Sequence, residues 1–228
     1  MPNQHNQDVQ IPVSRPDTVI WDWNGTLLDD KQICLRGINR LLERRKLAPL
    51  DMDRYRKIFT FPVRSYYEAA GFDFSREEFE VPAEEFIDEY RLLLPEAGLF
   101  PDVLQVLAFF RQRGIRQYVL SAMEQQALVR SIDERGILAN FQGIYGIGDN
   151  LAYSKLLRGR ELLKENQIDP KHALMIGDTL HDLEVAGELG LNIVLVGRGH
   201  QHPDRLFRQG QTVLENLEQL KRWYNGPD

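Results

Sequence analysis

Short apolar runs alternate along the chain with stretches whose apolar residues recur every three or four positions, the rhythm of strands feeding helices. The runs Thr18–Trp21, 116–120, Gly143–Ile147, 173–176 and Asn192–Val196 predict five strands. Residues 102–113, 124–135, 154–166 and Leu180–Leu189 predict the helices between and after them. Gly114, Gly136 and Gly190 follow three of these helices, where a left-handed C-terminal stop is expected. A last helix is predicted over 212–224. The order predicts an α/β fold built on a doubly wound parallel sheet.

Residues 31–97 break this rhythm. They show helical periodicity and no convincing strand, and they fall between the first and second predicted strands. The stretch from Ser121 to Lys155 has room only for one helix, one strand and short loops. An inserted unit must therefore occupy the earlier gap. The expected organisation is a core of residues 17–30 and 98–228, an α-helical cap of residues 31–97, and hinges near 28–31 and 95–101. Residues 1–16 are Gln/Asn-rich, carry three prolines and have no apolar centre, so a mobile tail is expected there and not a secretory leader.

Composition narrows the function. With 228 residues, 43% hydrophobic and 27% charged, the chain can bury a core. A net charge of −6 argues against nucleic acid as a partner, though it allows a local basic pocket for an anion. The single Cys34 cannot form an internal disulfide, which fits a reducing compartment; its plain reading is a small buried hydrophobe. No apolar run reaches 18 residues, so no membrane span is expected. A cytoplasmic monomer or homodimer is the expectation. Within the insertion, residues 31–64 hold 10 basic and 3 acidic residues, and residues 65–97 hold 2 and 10. The basic half could attract an anionic substrate, or it could pair with the acidic half across helix surfaces. Arg36, Arg40 and Arg44 lie off the apolar face of their helix, which favours pairing for these three.

The chemistry gathers at two strand ends. Asp22-Trp23-Asn24-Gly25-Thr26 follows the first apolar run, and Gly177-Asp178, with Asp182 beyond, follows the fourth. An acid at the C-terminal end of a strand in an open α/β sheet stands where such sheets place their sites. It can serve as a nucleophile or as a hard oxygen ligand for Mg²⁺. Ser121 closes the second strand, and Lys155 lies in the first turn of a predicted helix, with Arg158 and Lys164 as rivals. Ser121 could also cap the helix that follows, and both roles could coexist.

In these four segments and their order, the chain resembles the haloacid dehalogenase superfamily of Mg²⁺-dependent aspartyl-nucleophile phosphatases, in its phosphoglycolate-phosphatase-like branch. The resemblance implies a Rossmann-like core with a helical cap inserted after the first strand. It implies Asp22 as nucleophile, and Mg²⁺ held by Asp22, the backbone carbonyl of Asn24, and Asp178. Ser121, the N–H of Ala122, and Lys155 would hold the transferring phosphoryl group. Asp182 and Thr26 would stand one step behind, holding metal waters, Lys155 or the first loop. Arg64, in an aromatic and hydroxyl-bearing stretch of the cap, is the candidate for substrate contact; a packed turn is its rival reading. His181 adjoins the site in sequence but matches no motif. The departure is Asn24, where the family's phosphatases carry a second Asp for proton transfer. The expected function is Mg²⁺-dependent hydrolysis of a small phosphorylated metabolite through an aspartyl-phosphate. The alternative is a weakened, phosphate-ligand- or partner-binding protein of the same fold.

Overall fold

The computed structural model describes residues 15–148, 153–210 and 212–225. All but the last two residues of the expected N-terminal tail lie outside the described residues. Six parallel strands form one sheet: β1 (Thr18–Trp21), β4 (Arg116–Glu124), β5 (Gly143–Ile147), β6 (Ala173–Gly177), β7 (Asn192–Val196) and β8 (Val213–Leu214). Their spatial order is β5-β4-β1-β6-β7-β8, so the winding direction reverses at β1. Helices cover both faces. Val19, Trp21, Leu174, Ile176, Val194 and Val196 pack with α5 (Val103–Gln112), α6 (Gln125–Asp133) and α10 (Glu218–Asn225). Ile20, Met175, Ile193 and Leu195 pack on the other face with α7 (Tyr153–Glu165) and α8 (Leu180–Leu189). Alternate residues of one strand thus serve opposite cores, which is why these strands read as unbroken apolar runs. The fold is the doubly wound α/β class that the alternating pattern predicts.

Residues 31–97 contribute α1 (Lys31–Arg44), α2 (Met52–Ile58), α3 (Val63–Ala70) and α4 (Glu80–Leu93). These helices enclose an apolar cluster of their own around Ile38, Leu41, Leu42, Tyr55, Tyr66 and Tyr67. Two short strands, β2 (Leu28–Asp29) and β3 (Gly98–Leu99), pair antiparallel where the chain leaves and re-enters the sheet layer. Charge pairing, not a basic face, absorbs the arginines of α1. Arg36 pairs with Glu96, Arg40 with Glu89, Arg44 with Glu85 and Glu89, and Arg45, just past the helix, with Glu77 and Glu85. The partner numbers fall as the arginine numbers rise, the mark of antiparallel α1 and α4.

The predicted helix over 212–224 is corrected. Val213 and Leu214 form edge strand β8 beside Leu195 and Val196, and α10 starts only at Glu218. A short helix α9 (Pro203–Phe207) precedes it. None of the described helices is long and apolar enough to cross a membrane.

Candidate active site

Register brings the two acids together. Trp21 stands opposite Ile176 in the β1–β6 pair, and Asp22 N donates to Ile176 O at 2.8 Å. Asp22 and Asp178 therefore leave neighbouring strands side by side. The loop after β1 is held by two fully buried tryptophans, whose indole N–H groups find partners: Trp21 on Gln117 Oε1 and Trp23 on Ser131 Oγ, both at 3.2 Å. Truncating such a side chain costs about 3–5 kcal/mol, enough to fix the loop rigidly. Gly25 turns it with φ +74°, and a side chain there would strike Asp178 and His200. Gly177 is required for the same reason, since a Cβ would strike Asp182.

Carboxylate oxygens of Asp22, Asp178 and Asp182 lie within 4.8 Å of one another, and all three residues are buried. Lys155 reaches in from α7, with Nζ 2.5 Å from Asp22 Oδ1 and 2.6 Å from Asp182 Oδ1. Asp182 is itself anchored: its Oδ2 accepts from Thr179 Oγ1 at 2.6 Å and Thr179 N at 3.0 Å, closing a capping box at the start of α8. Asp22's carboxyl is pushed up to about 6 by burial, with Lys155 opposing and Asp182 adding. Burial also lifts Asp178, to about 8, against the pull of His200. Burial would raise Asp182 too, but the Lys155 ammonium holds it below the usual carboxylate range.

Asp178 is the acid left without a cation. Its Oδ2 accepts His200 N at 2.6 Å and its Oδ1 the Thr26 hydroxyl at 3.4 Å, with no side-chain cation in ion-pair reach among the described residues. A buried carboxylate in that state, in an all-oxygen donor set, fits a hard divalent cation.

Ser121 lies where β4 leaves its ladder: the register with β5 is interrupted between Leu120 and Glu124, which includes Ala122. Ser121 Oγ lies 3.4 Å from Asn24 Oδ1 and accepts from Met123 N at 3.1 Å. It does not cap the next helix. Glu124 does, accepting from Gln126 N and Ala127 N.

A family model described as haloacid dehalogenase-like hydrolase matches residues 19–196. The chain belongs to the haloacid dehalogenase-like hydrolases. This hydrolase is 27% identical over 209 residues to tyrosine-protein kinase PtkA of Mycobacterium tuberculosis, covering 89% of the chain and 69% of that protein. It is also 27% identical over 191 residues to a phosphoglycolate phosphatase of Caulobacter vibrioides, covering 80% of each. A solved haloacid dehalogenase-like hydrolase from Streptococcus pneumoniae superposes with a TM-score of 0.79 over 91% of this chain and 97% of that one, at 19% identity. The chain is an enzyme of this hydrolase family, and phosphoglycolate phosphatases are among the proteins it resembles.

The hydrolase does not bring every candidate residue to the acids. Arg64 stands apart from them: its side chain is 52% exposed, pairs with Glu68 one turn on, and lies over the Phe74 ring at 4.9 Å. No contact links it to the acidic cluster among the described residues. Arg158 turns to Gly146 O and Glu161, leaving Lys155 as the site's ammonium. His181 packs on Phe61 with ring centroids 4.6 Å apart, and its Nε2 is buried without a partner.

Behind the acids stands a second layer that no sequence motif marks. Asp30, the buried N-cap position of α1, pairs with His200 Nε2 at 3.0 Å, and His200 Nδ1 meets the Tyr55 hydroxyl at 2.8 Å. Burial disfavours the charged imidazole, but Asp30 overrides it and His200 rises to about 9. Cys34 is the buried small residue its composition implied, with Sγ 3.6 Å from Asp30 Oδ2. The available signal was the loop Gly197-Arg198-Gly199-His200, a Gly-rich turn at the same sheet edge as Asp22. Arg56 of α2 clamps that loop, donating to Gly199 O at 2.9 Å, Gly197 O at 2.7 Å and Gln201 O at 3.0 Å. Arg56→Ala is expected to speed amide exchange in residues 197–201 while β6 stays protected. Exchange by mass spectrometry that is unchanged in this loop would show that the sheet layer alone holds it.

Proposed function

We propose that this enzyme is a Mg²⁺-dependent phosphatase that hydrolyses a small phosphorylated metabolite through a phosphoryl group carried on Asp22. The convergence of Asp22, Asp178, Asp182 and Lys155 at one sheet edge carries this reading. The names of the relatives support its general chemistry, since phosphatase and kinase both denote phosphoryl transfer. Asp22, the Asn24 carbonyl and Asp178 would hold the ion, which supplies the charge neutralisation that lets a carboxylate approach an anionic phosphate. An Asp22 oxygen bonds to phosphorus as the bond to the leaving oxygen breaks, and the electron pair departs with that oxygen. Water then attacks the same phosphorus, loses its proton to solvent, releases inorganic phosphate and restores the carboxylate. Lys155, Ser121 Oγ and the Ala122 N–H offset charge on the phosphoryl oxygens. Asp182 keeps Lys155 in place. Residues 31–97 act as a cap that excludes water during transfer.

Asn24 sets the leaving-group range. An amide cannot give a proton to a departing alkoxide, and that step is worth about 10²- to 10⁴-fold. Acyl phosphates or nitrophenyl phosphate are the expected good substrates. Assay of a phosphorylated-metabolite panel with and without Mg²⁺ tests the reading, and turnover indifferent to Mg²⁺ would refute it.

Metal and pH should be linked. A carboxyl whose folded pKa lies above its unfolded 3.8 binds more protons when folded, so its stabilisation fades as pH rises. Asp22 contributes this loss up to about 6 and Asp178 up to about 8; His200, raised from 6.5 to about 9, adds loss across that interval. In chelator, Tm is expected to fall between pH 4 and pH 9, and Mg²⁺ to reverse the fall most above pH 7. Asp178→Ala should abolish the Mg²⁺ effect. Thermal scans across pH check this, and a metal-independent Tm in wild type would contradict it.

A further inference from the structure

The amide of Asn24 is held in one orientation. Its Nδ2 lies 2.8 Å from Asp30 Oδ2 and 2.7 Å from the Tyr90 hydroxyl, which donates to the same Asp30 oxygen at 2.9 Å. A carboxylate only accepts, so the NH₂ must face Asp30 and Oδ1 must face Ser121. Asp30 is fixed in turn. Its Oδ1 accepts Gly25 N at 3.0 Å and His200 Nε2 at 3.0 Å, and the residue is buried. A carboxylate thus stands one hydrogen bond behind the position where an acid is missing, and it requires a donor there. An aspartate at position 24 would put two carboxylate oxygens in contact, where both cannot readily be ionised.

We propose that Asp30 is the positioning residue that determines leaving-group specificity: it holds Asn24 so that only an acceptor oxygen faces the reacting group. Hydrolysis is then confined to leaving groups that depart without protonation. The inference rests on the phosphatase reading above. Its particular claim is that positions 24 and 30 form one amide–carboxylate pair whose polarity can be reversed. With the carboxylate moved to 24 and the amide to 30, the carboxylate would accept from that amide and from Tyr90. The amide oxygen at 30 would still accept from Gly25 N and His200 Nε2. Each of these contacts survives with its donor and acceptor matched; the weak one from the Cys34 thiol to Asp30 Oδ2 is the contact given up.

The test compares wild type, Asn24→Asp, Asp30→Asn and the double variant. It reads kcat on glycerol phosphate and on nitrophenyl phosphate with Mg²⁺, and Tm without metal. The double variant is expected to raise the ratio of glycerol phosphate to nitrophenyl phosphate turnover by about tenfold or more. Each single variant should lower Tm, and the double should recover much of the loss, a non-additivity that contact between the positions requires. A double variant that keeps the wild-type ratio overturns the proposal. So does Asn24→Asp alone matching the double in both stability and alkyl turnover. If wild type fails to hydrolyse nitrophenyl phosphate, the phosphatase reading falls. The Tm cycle still decides the pair, because additive losses would show that Asp30 does not govern position 24.

Discussion

Lys155→Met is expected to destabilise the protein by roughly 3–5 kcal/mol and to remove its turnover. Lys155 Nζ sits 2.5 Å from Asp22 and 2.6 Å from Asp182, and all three residues are buried. Methionine fills the volume but leaves two carboxylates in a low-dielectric site without their shared cation. Asp182 retains donors from Thr179. Asp22 retains much less. The catalytic loss follows separately, since no ammonium remains to offset charge on the phosphoryl oxygens. Denaturant titration checks the stability effect. A loss below about 1 kcal/mol, the size typical of exposed pairs, would mean the site is far wetter than its burial indicates.

Asp22→Asn should separate activity from stability in the opposite way. Loss of the nucleophile is expected to cost on the order of 10⁴- to 10⁶-fold in kcat, as for nucleophiles that act as part of a catalytic unit. Stability in chelator should hold or rise. Burial pushes the Asp22 carboxyl up to about 6, so above that pH the fold works against its charge, and a neutral amide of the same shape relieves this. Stability given up for function is a common property of active sites. A metal-free Tm well below wild type at pH 8 would contradict this account, as would retained turnover.

The elements that could be read directly were those whose local chemistry matches their tertiary role. β1 and β6 are buried at every position because both faces are covered, and each is followed directly by an acid. That combination marks both strand and site without knowledge of the fold. β4 runs four residues past its predicted end at 120, because Ser121 to Met123 leave the ladder before Glu124 rejoins it. β8 has two residues, too few to show any period of their own beside the helix that follows. Arg64 drew attention as an anion donor by residue type, yet Glu68 stands one turn on, a spacing that makes helical ion pairs. Asp30 and Tyr90 carry no readable signal, and His200 carries only that of the Gly-rich turn before it. They come from a helix cap, a helix of the insertion and a loop after β7, and no spacing rule links such segments. Only packing joins them.

Acid quenching of the enzyme during turnover of nitrophenyl phosphate, followed by peptide mass analysis, tests the central claim most directly. The account predicts one added phosphoryl group on the peptide containing Asp22, present with Mg²⁺ and absent in chelator and in Asp22→Asn. Rapid Mg²⁺-dependent turnover with the phosphoryl group on another residue, or undiminished turnover in Asp22→Asn, would contradict it.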